Sequence, residues 1–221
     1  GKDKEFSTFE SYIHDPEMGV FGKYDTVRNA FKLLLLSLII FTTIGILAVV
    51  TKNFSGTPGF FVEGQISPTT KVALEAEPAA SSETFMLIFF LAMTGGGILL
   101  LMKRAFGVKK ITKGTFLTAY LIAALIVGFV VFPAYHELRY GATEQNLAAV
   151  AMLGGGCTVT TVLTGSVIPC YVYHLENNMF SKMKEVFSNE FAVLFGILFL
   201  IILVITYFFI FIRKPKAKTI G

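Results

Sequence analysis

The chain has 221 residues, 54% of them hydrophobic and only 15% charged, with a mean hydropathy of +0.68. Soluble domains carry about 25% charged residues, and apolar runs of about 20 residues match the hydrocarbon thickness of a bilayer. An ordinary soluble domain is therefore excluded, as is a β-barrel, whose strands would alternate. The net charge of +4 makes no case for nucleic acid, because the basic residues flank apolar runs, where membrane topology explains them.

Residues 1–30 form a polar arm, cytoplasmic by the charge argument below, with turn chemistry in "HDPEMG" and "FGKYD". No apolar stretch opens the chain, so no signal peptide is read there. The first span is 31–50, with Lys32 placed to snorkel at its edge. Residues 51–83 read as a loop rich in Gly, Pro, Ser and Thr, holding Glu63, Glu75, Glu77 and Glu83 against Lys52 and Lys71.

The second span is 84–102. The loop 103–114 that follows carries Lys103, Arg104, Lys109, Lys110 and Lys113 and no acid. The third span, 115–135, ends in "VVFPAY" and leads to a polar turn over 136–146. The apolar stretch after it is interrupted by "TGS" at 164–166, a turn signal. The last span is 191–212 and the tail 213–221 is basic.

Basic loops stay cytoplasmic. Loop 103–114 is then inside and loop 51–83, net acidic, is outside. Five spans would leave the basic tail outside. A break at "TGS" gives six, with helices over 147–163 and 167–184 and both termini cytoplasmic. The fold class is thus an all-α, polytopic transmembrane bundle over 31–212. Two glycine runs, Gly95–Gly97 and Gly154–Gly156, are expected to admit close helix contact. Cys157 and Cys170 lack metal-like or CxxC spacing and read as small buried hydrophobes.

Ionisable groups in spans are costly and point to function. Glu83 opens the second span, His136 closes the third, and His174 and Asn178 share a face of the fifth at i, i+4. In the six-span topology all four lie in the outer half of the bilayer. A carboxylate can act as general base, while imidazoles and an amide stabilise an oxyanion. The same residue types could hold a divalent metal. Structural roles stand beside these. Glu83 suits a helix start, His136 and Glu137 suit a solvated loop, and His174 with Asn178 suits an interhelical hydrogen bond.

The stretch "TGSVIPCYVYHLENN" resembles the last motif of the CPBP family of intramembrane proteases, the CAAX-prenyl protease and bacteriocin-processing group. That motif sets a Thr-Gly-Ser turn before a helix carrying His-x-x-x-Asn, here Thr164, Gly165 and Ser166, then His174 and Asn178. The family's preceding Phe-x-x-x-His is matched by Phe132 and His136. Its first motif, Glu-Glu-x-x-x-Arg, has no counterpart; Glu83 stands in its place in the order. The resemblance implies an intramembrane endopeptidase, or an inactive relative, with Glu83, His136, His174 and Asn178 as the catalytic set.

Two other functions fit the composition. One is a non-catalytic membrane subunit of a larger complex, or a small transporter, for which helices rich in Phe and Gly supply packing faces. The other is a redox protein with His136 and His174 as haem or copper ligands, although the chain has no CxxCH. The expected partners are the lipid bilayer and either a membrane peptide or protein substrate or a protein complex.

Overall fold

In a computed structural model of the chain, the described residues are 27–51, 67–108, 111–141 and 144–212. The polar arm, apart from its last residues, and the basic tail lie outside them. All the described elements are helices. They are α1 (Val27–Thr51), α2 (Pro68–Ala105), α3 (Lys113–Ile126), α4 (Phe132–Tyr140), α5 (Glu144–Thr164), α6 (Ile168–Val186) and α7 (Asn189–Tyr207). A π turn, Val127–Val131, joins α3 to α4, and a second, Phe208–Ile212, extends α7. Five stretches are long and apolar enough to cross a membrane: Val27–Thr51, Val72–Ala105, Lys113–Arg139, Leu147–Thr164 and Asn189–Ile212.

The sixth helix, α6, carries Glu176, Lys182, Lys184 and Glu185 and is apolar only in part. It occupies the centre of the bundle, where ten of its residues are buried, among them His174, Glu176, Asn178 and Lys182. On one side, Phe41 of α1 stacks on Tyr173 at 4.5 Å, and Gly45 leaves room for the Phe180 ring, which a Cβ there would meet at 2.4 Å. Residue numbers rise together across this contact, so α1 and α6 run parallel. On the other side, Glu83, Ala76 and Glu75 of α2 meet His174, Asn178 and Lys182 in turn. Here numbers fall as they rise, so α2 and α6 are antiparallel.

The "TGS" break is a turn, as expected. Thr164 ends α5 with its hydroxyl donating to the Thr160 carbonyl at 2.6 Å. Gly165 adopts φ 64°, the left-handed conformation that glycine takes without steric cost, and its N–H donates to Thr161 O at 2.9 Å. Ser166 Oγ then accepts from the Ile168 N–H at 3.2 Å as the chain re-enters a helix.

The expected loop over 51–83 is different in its second half, which is helical from Pro68. Ser67 caps this helix through the Thr70 N–H and Pro68 occupies the first turn, where its fixed φ suits a helix start. Val72, Ala76, Ala79 and Ala80 supply a buried face. Averaged over a window, the acids and prolines hide that face. The polar turn expected over 136–146 is also largely helical, since α4 continues to Tyr140 and closes on Gly141 at φ 61°.

The π turn Val127–Val131 and α5 approach at their glycines. A Cβ on Gly128 would lie 2.6 Å from Gly155 Cα, one on Gly154 would lie 2.6 Å from Gly128 O, and one on Gly155 would lie 2.2 Å from the Phe129 ring. The run at 154–156 is therefore a packing device. In the other run, only Gly95 is crowded, by Tyr120, and nothing lies within 4 Å of a Cβ at Gly96 or Gly97. Cys157 and Cys170 are both fully buried, and the Cys157 thiol donates to Cys170 O at 3.3 Å.

Both ends of the bundle fall on one face, since Arg28 stands over the Phe211 ring at 5.9 Å. The antiparallel and parallel pairings place the C-terminal end of α2, with Lys103 and Arg104, and the "TGS" turn toward that same side. Glu83 lies inside α2, fifteen residues after Pro68 and away from that face. Twenty residues separate it from Lys103, about 30 Å along an ideal helix and comparable to a hydrocarbon core.

Candidate functional site

Three of the four sequence candidates converge. Glu83 projects from α2, His174 from α6 and His136 from α4. Glu83 Oε2 is 2.6 Å from His174 Nε2, and Glu83 Oε1 is 3.6 Å from His136 Nε2. The three side chains are nearly withdrawn from the surface, at 7%, 7% and 0% exposure for Glu83, His136 and His174. One carboxylate thus lies between two imidazoles, about 30 Å along α2 from Lys103.

Backbone geometry explains the aim of His136. Its Nδ1 is 3.0 Å from Phe132 O. A carbonyl only accepts, so Nδ1 carries the proton and Nε2 faces Glu83. The π turn Val127–Val131 lies just before this segment. Such bulges shift the phase of a helix and recur at functional sites. Phe132 supplies the spacing of the two imidazoles. Its ring meets His136 at 4.3 Å and His174 at 5.8 Å, both edge to face. The Phe-x-x-x-His pattern therefore has a physical meaning here: the Phe holds the ring and donates the carbonyl that orients it.

His174 is held differently. Its Nε2 meets Glu83 as a charge contact outside hydrogen-bond angles, and Nδ1 has no hydrogen-bond partner among the described residues. A fully buried ring nitrogen in that state is rare in folded proteins and sets His174 apart from the apolar core around it.

Asn178 is placed one turn further along α6. Its amide nitrogen donates to Ala76 O at 3.4 Å, and its carbonyl oxygen accepts from Asn177 at 3.3 Å. Ala76 is seven residues before Glu83, so this contact lies about 10 Å along α2 from the carboxylate. Asn178 shares the face of His174, and its Ala76 contact joins α6 to α2.

The sequence did not reveal three further features. Glu75 and Lys182, 0% and 3% exposed, pair at 3.0 Å, and Lys182 also reaches Glu185 at 2.9 Å. Glu176, facing α1, accepts from the Thr42 hydroxyl at 3.1 Å. A cavity of about 450 Å³ between α2 and α4 is lined in part by Glu83, Tyr135 and Arg139. The i, i+3 spacing of His136 and Arg139 was a signal that could have found the last.

Among the described residues, no group of three His, Cys, Asp or Glu side chains is arranged to hold a metal ion. The chemistry open to Glu83, His136 and His174 includes proton transfer and charge stabilisation. The fold and the site together define a multi-pass helical membrane protein with a carboxylate held between imidazoles. No protein family, curated protein or solved structure matches the chain.

Proposed function

We propose that the chain is a membrane-embedded hydrolase of the CPBP type, which cleaves peptide bonds near the membrane boundary. The observation that supports this most is the Glu83 carboxylate between His174 and His136, opening into a cavity. Glu83 takes a proton from a water in that cavity. The resulting hydroxide attacks the peptide carbonyl carbon. The C–N bond then breaks, and the proton taken by Glu83 passes to the leaving nitrogen. His136 and His174, when charged, stabilise the developing oxyanion. Asn178, bonded to Ala76 O about 10 Å along α2 from the carboxylate, holds α6 against α2 and takes no part in the oxyanion site.

Burying a carboxylate beside two imidazoles is costly in a membrane, and a purely structural role would be served by an apolar contact at lower cost. The basic segment and the positive-inside rule support a cytoplasmic location for the face bearing both bundle ends. The site then works at the opposite boundary.

The reading is tested by reconstituting the protein in vesicles with labelled single-span peptides, in water enriched in ¹⁸O. Hydrolysis places one heavy oxygen in the new carboxylate, read by mass spectrometry. Peptides that stay intact across a varied set, in vesicles where the protein is folded, contradict it.

A further inference from the structure

The cavity beside Glu83 has walls of unequal character. From α2 come Pro78, Ala79, Glu83 and Met86, and from α4 come Tyr135 and Arg139. Its volume of about 450 Å³ lies in the range of small-molecule sites. Proline and alanine leave space at one wall, and methionine adapts to varied apolar shapes.

Arg139 is the charged group at its rim. It lies on α4 at i+3 from His136, so the buried imidazole and the exposed guanidinium share one helical face. Its Nη1 donates to the Tyr135 hydroxyl at 2.6 Å, and the guanidinium stands 5.7 Å from the Tyr135 ring centroid. Tyrosine thus restrains the long side chain before any ligand arrives, which reduces the ordering cost of binding. A guanidinium offers five N–H donors in a planar fork that suits carboxylate and phosphate oxygens. The carboxylate in the same cavity, Glu83, is engaged by two imidazoles, which reduces its repulsion of an incoming anion.

We propose that Arg139 is an anion-recognition residue, and that the ligand of this cavity is an amphiphile with an oxyanionic group next to its acyl carbonyl. The anionic group bonds Arg139 at the rim, the acyl carbonyl faces Glu83 and His136, and the apolar remainder lies along Met86 toward the lipid. The placement of the carbonyl rests on the hydrolase reading. The binding of the anion by Arg139 does not.

The test is a binding measurement on the full chain in nanodiscs, with three probes: N-dodecanoylglycine, its uncharged amide, and 1-dodecanoyl-glycerol 3-phosphate. The wild type is expected to bind at least one acid about tenfold more tightly than the amide, equivalent to about 1.4 kcal/mol. The preferred acid identifies the source of the anion. R139Q is expected to remove that preference and leave amide binding unchanged, while R139K retains part of it. Equal affinity of the wild type for acids and amide, or a preference that survives in R139Q, overturns the proposal. Acid preference without any peptide hydrolysis would leave Arg139 assigned and remove the hydrolase reading instead.

Discussion

Glu83 and His174 meet at 2.6 Å across the antiparallel pair α2 and α6, and eight residues further along each helix Glu75 meets Lys182 at 3.0 Å. The two contacts are rungs of one ladder. Eight residues correspond to about 12 Å of helix, so the ion pair fixes the register in which the carboxylate reaches the imidazole. Glu83 also opens to a cavity, whereas Glu75 is fully enclosed. The proposed chemistry belongs to the first rung and alignment to the second.

The second rung has unequal partners. Lys182→Met leaves Glu75 buried with no cation at that contact, and a buried charge stripped of its partner costs about 3–5 kcal/mol. Glu75→Gln leaves Lys182 with Glu185 still at 2.9 Å, so its cost is expected to be lower, about 1–3 kcal/mol. The double variant, Glu75→Gln with Lys182→Met, should recover most of the loss. Reversible unfolding in mixed detergent measures all three. A double variant as unstable as Lys182→Met alone would contradict the pairing.

Glycines at packed and open positions should respond in opposite ways. Gly128→Ala puts a Cβ 2.6 Å from backbone atoms of Gly155, which neither helix can avoid without separating. Overpacking of this kind costs about 1–3 kcal/mol. Gly96→Ala meets nothing within 4 Å and removes glycine's backbone freedom inside a helix, so a gain of about 0.5–1 kcal/mol is expected. Paired thermal unfolding curves check both signs.

Three carboxylates lie buried on or beside α6, Glu75, Glu83 and Glu176, and only Glu83 is proposed for chemistry. Glu176 accepts from the Thr42 hydroxyl at 3.1 Å on the α1 side, away from both imidazoles. Glu176→Gln keeps the shape and that acceptor. It is expected to retain turnover within about threefold of the wild type, a change of less than 1 kcal/mol in the barrier. A loss of several orders of magnitude in a folded Glu176→Gln protein would move the reaction to the α1 side.

Phe132 is expected to act through the rings it separates. Phe132→Leu keeps an apolar side chain and the carbonyl that orients His136, yet removes the edge contacts to both imidazoles. Stability should fall by less than about 1.5 kcal/mol, as for near-volume-conserving core changes. Turnover should fall more than stability implies, with the loss in kcat rather than KM. Equal small effects on both would reduce Phe132 to a filler.

The sequence made the all-helical membrane class and the "TGS" turn legible because long apolar runs and glycine chemistry are local. Glu83, His136 and His174 could be found for a related reason: an ionisable residue stands out against an apolar run. The helix over 68–83 was hidden because its acids and prolines look like a loop until Lys182 is placed against Glu75. The Arg139 cavity was hidden as well, since it exists only where α2 and α4 lie side by side. The π turn before His136 leaves no composition signal, being a response of the backbone to packing.

The central claim is that Glu83, held by His174 and His136, performs the hydrolysis. Its most direct test is the initial cleavage rate of one membrane peptide by wild type and Glu83→Gln in the same vesicles. Both proteins should first be shown to be folded by matching unfolding profiles. Removing a general base is expected to lower kcat by about 10²–10⁴, with KM little changed. Wild-type turnover in folded Glu83→Gln would contradict the assignment.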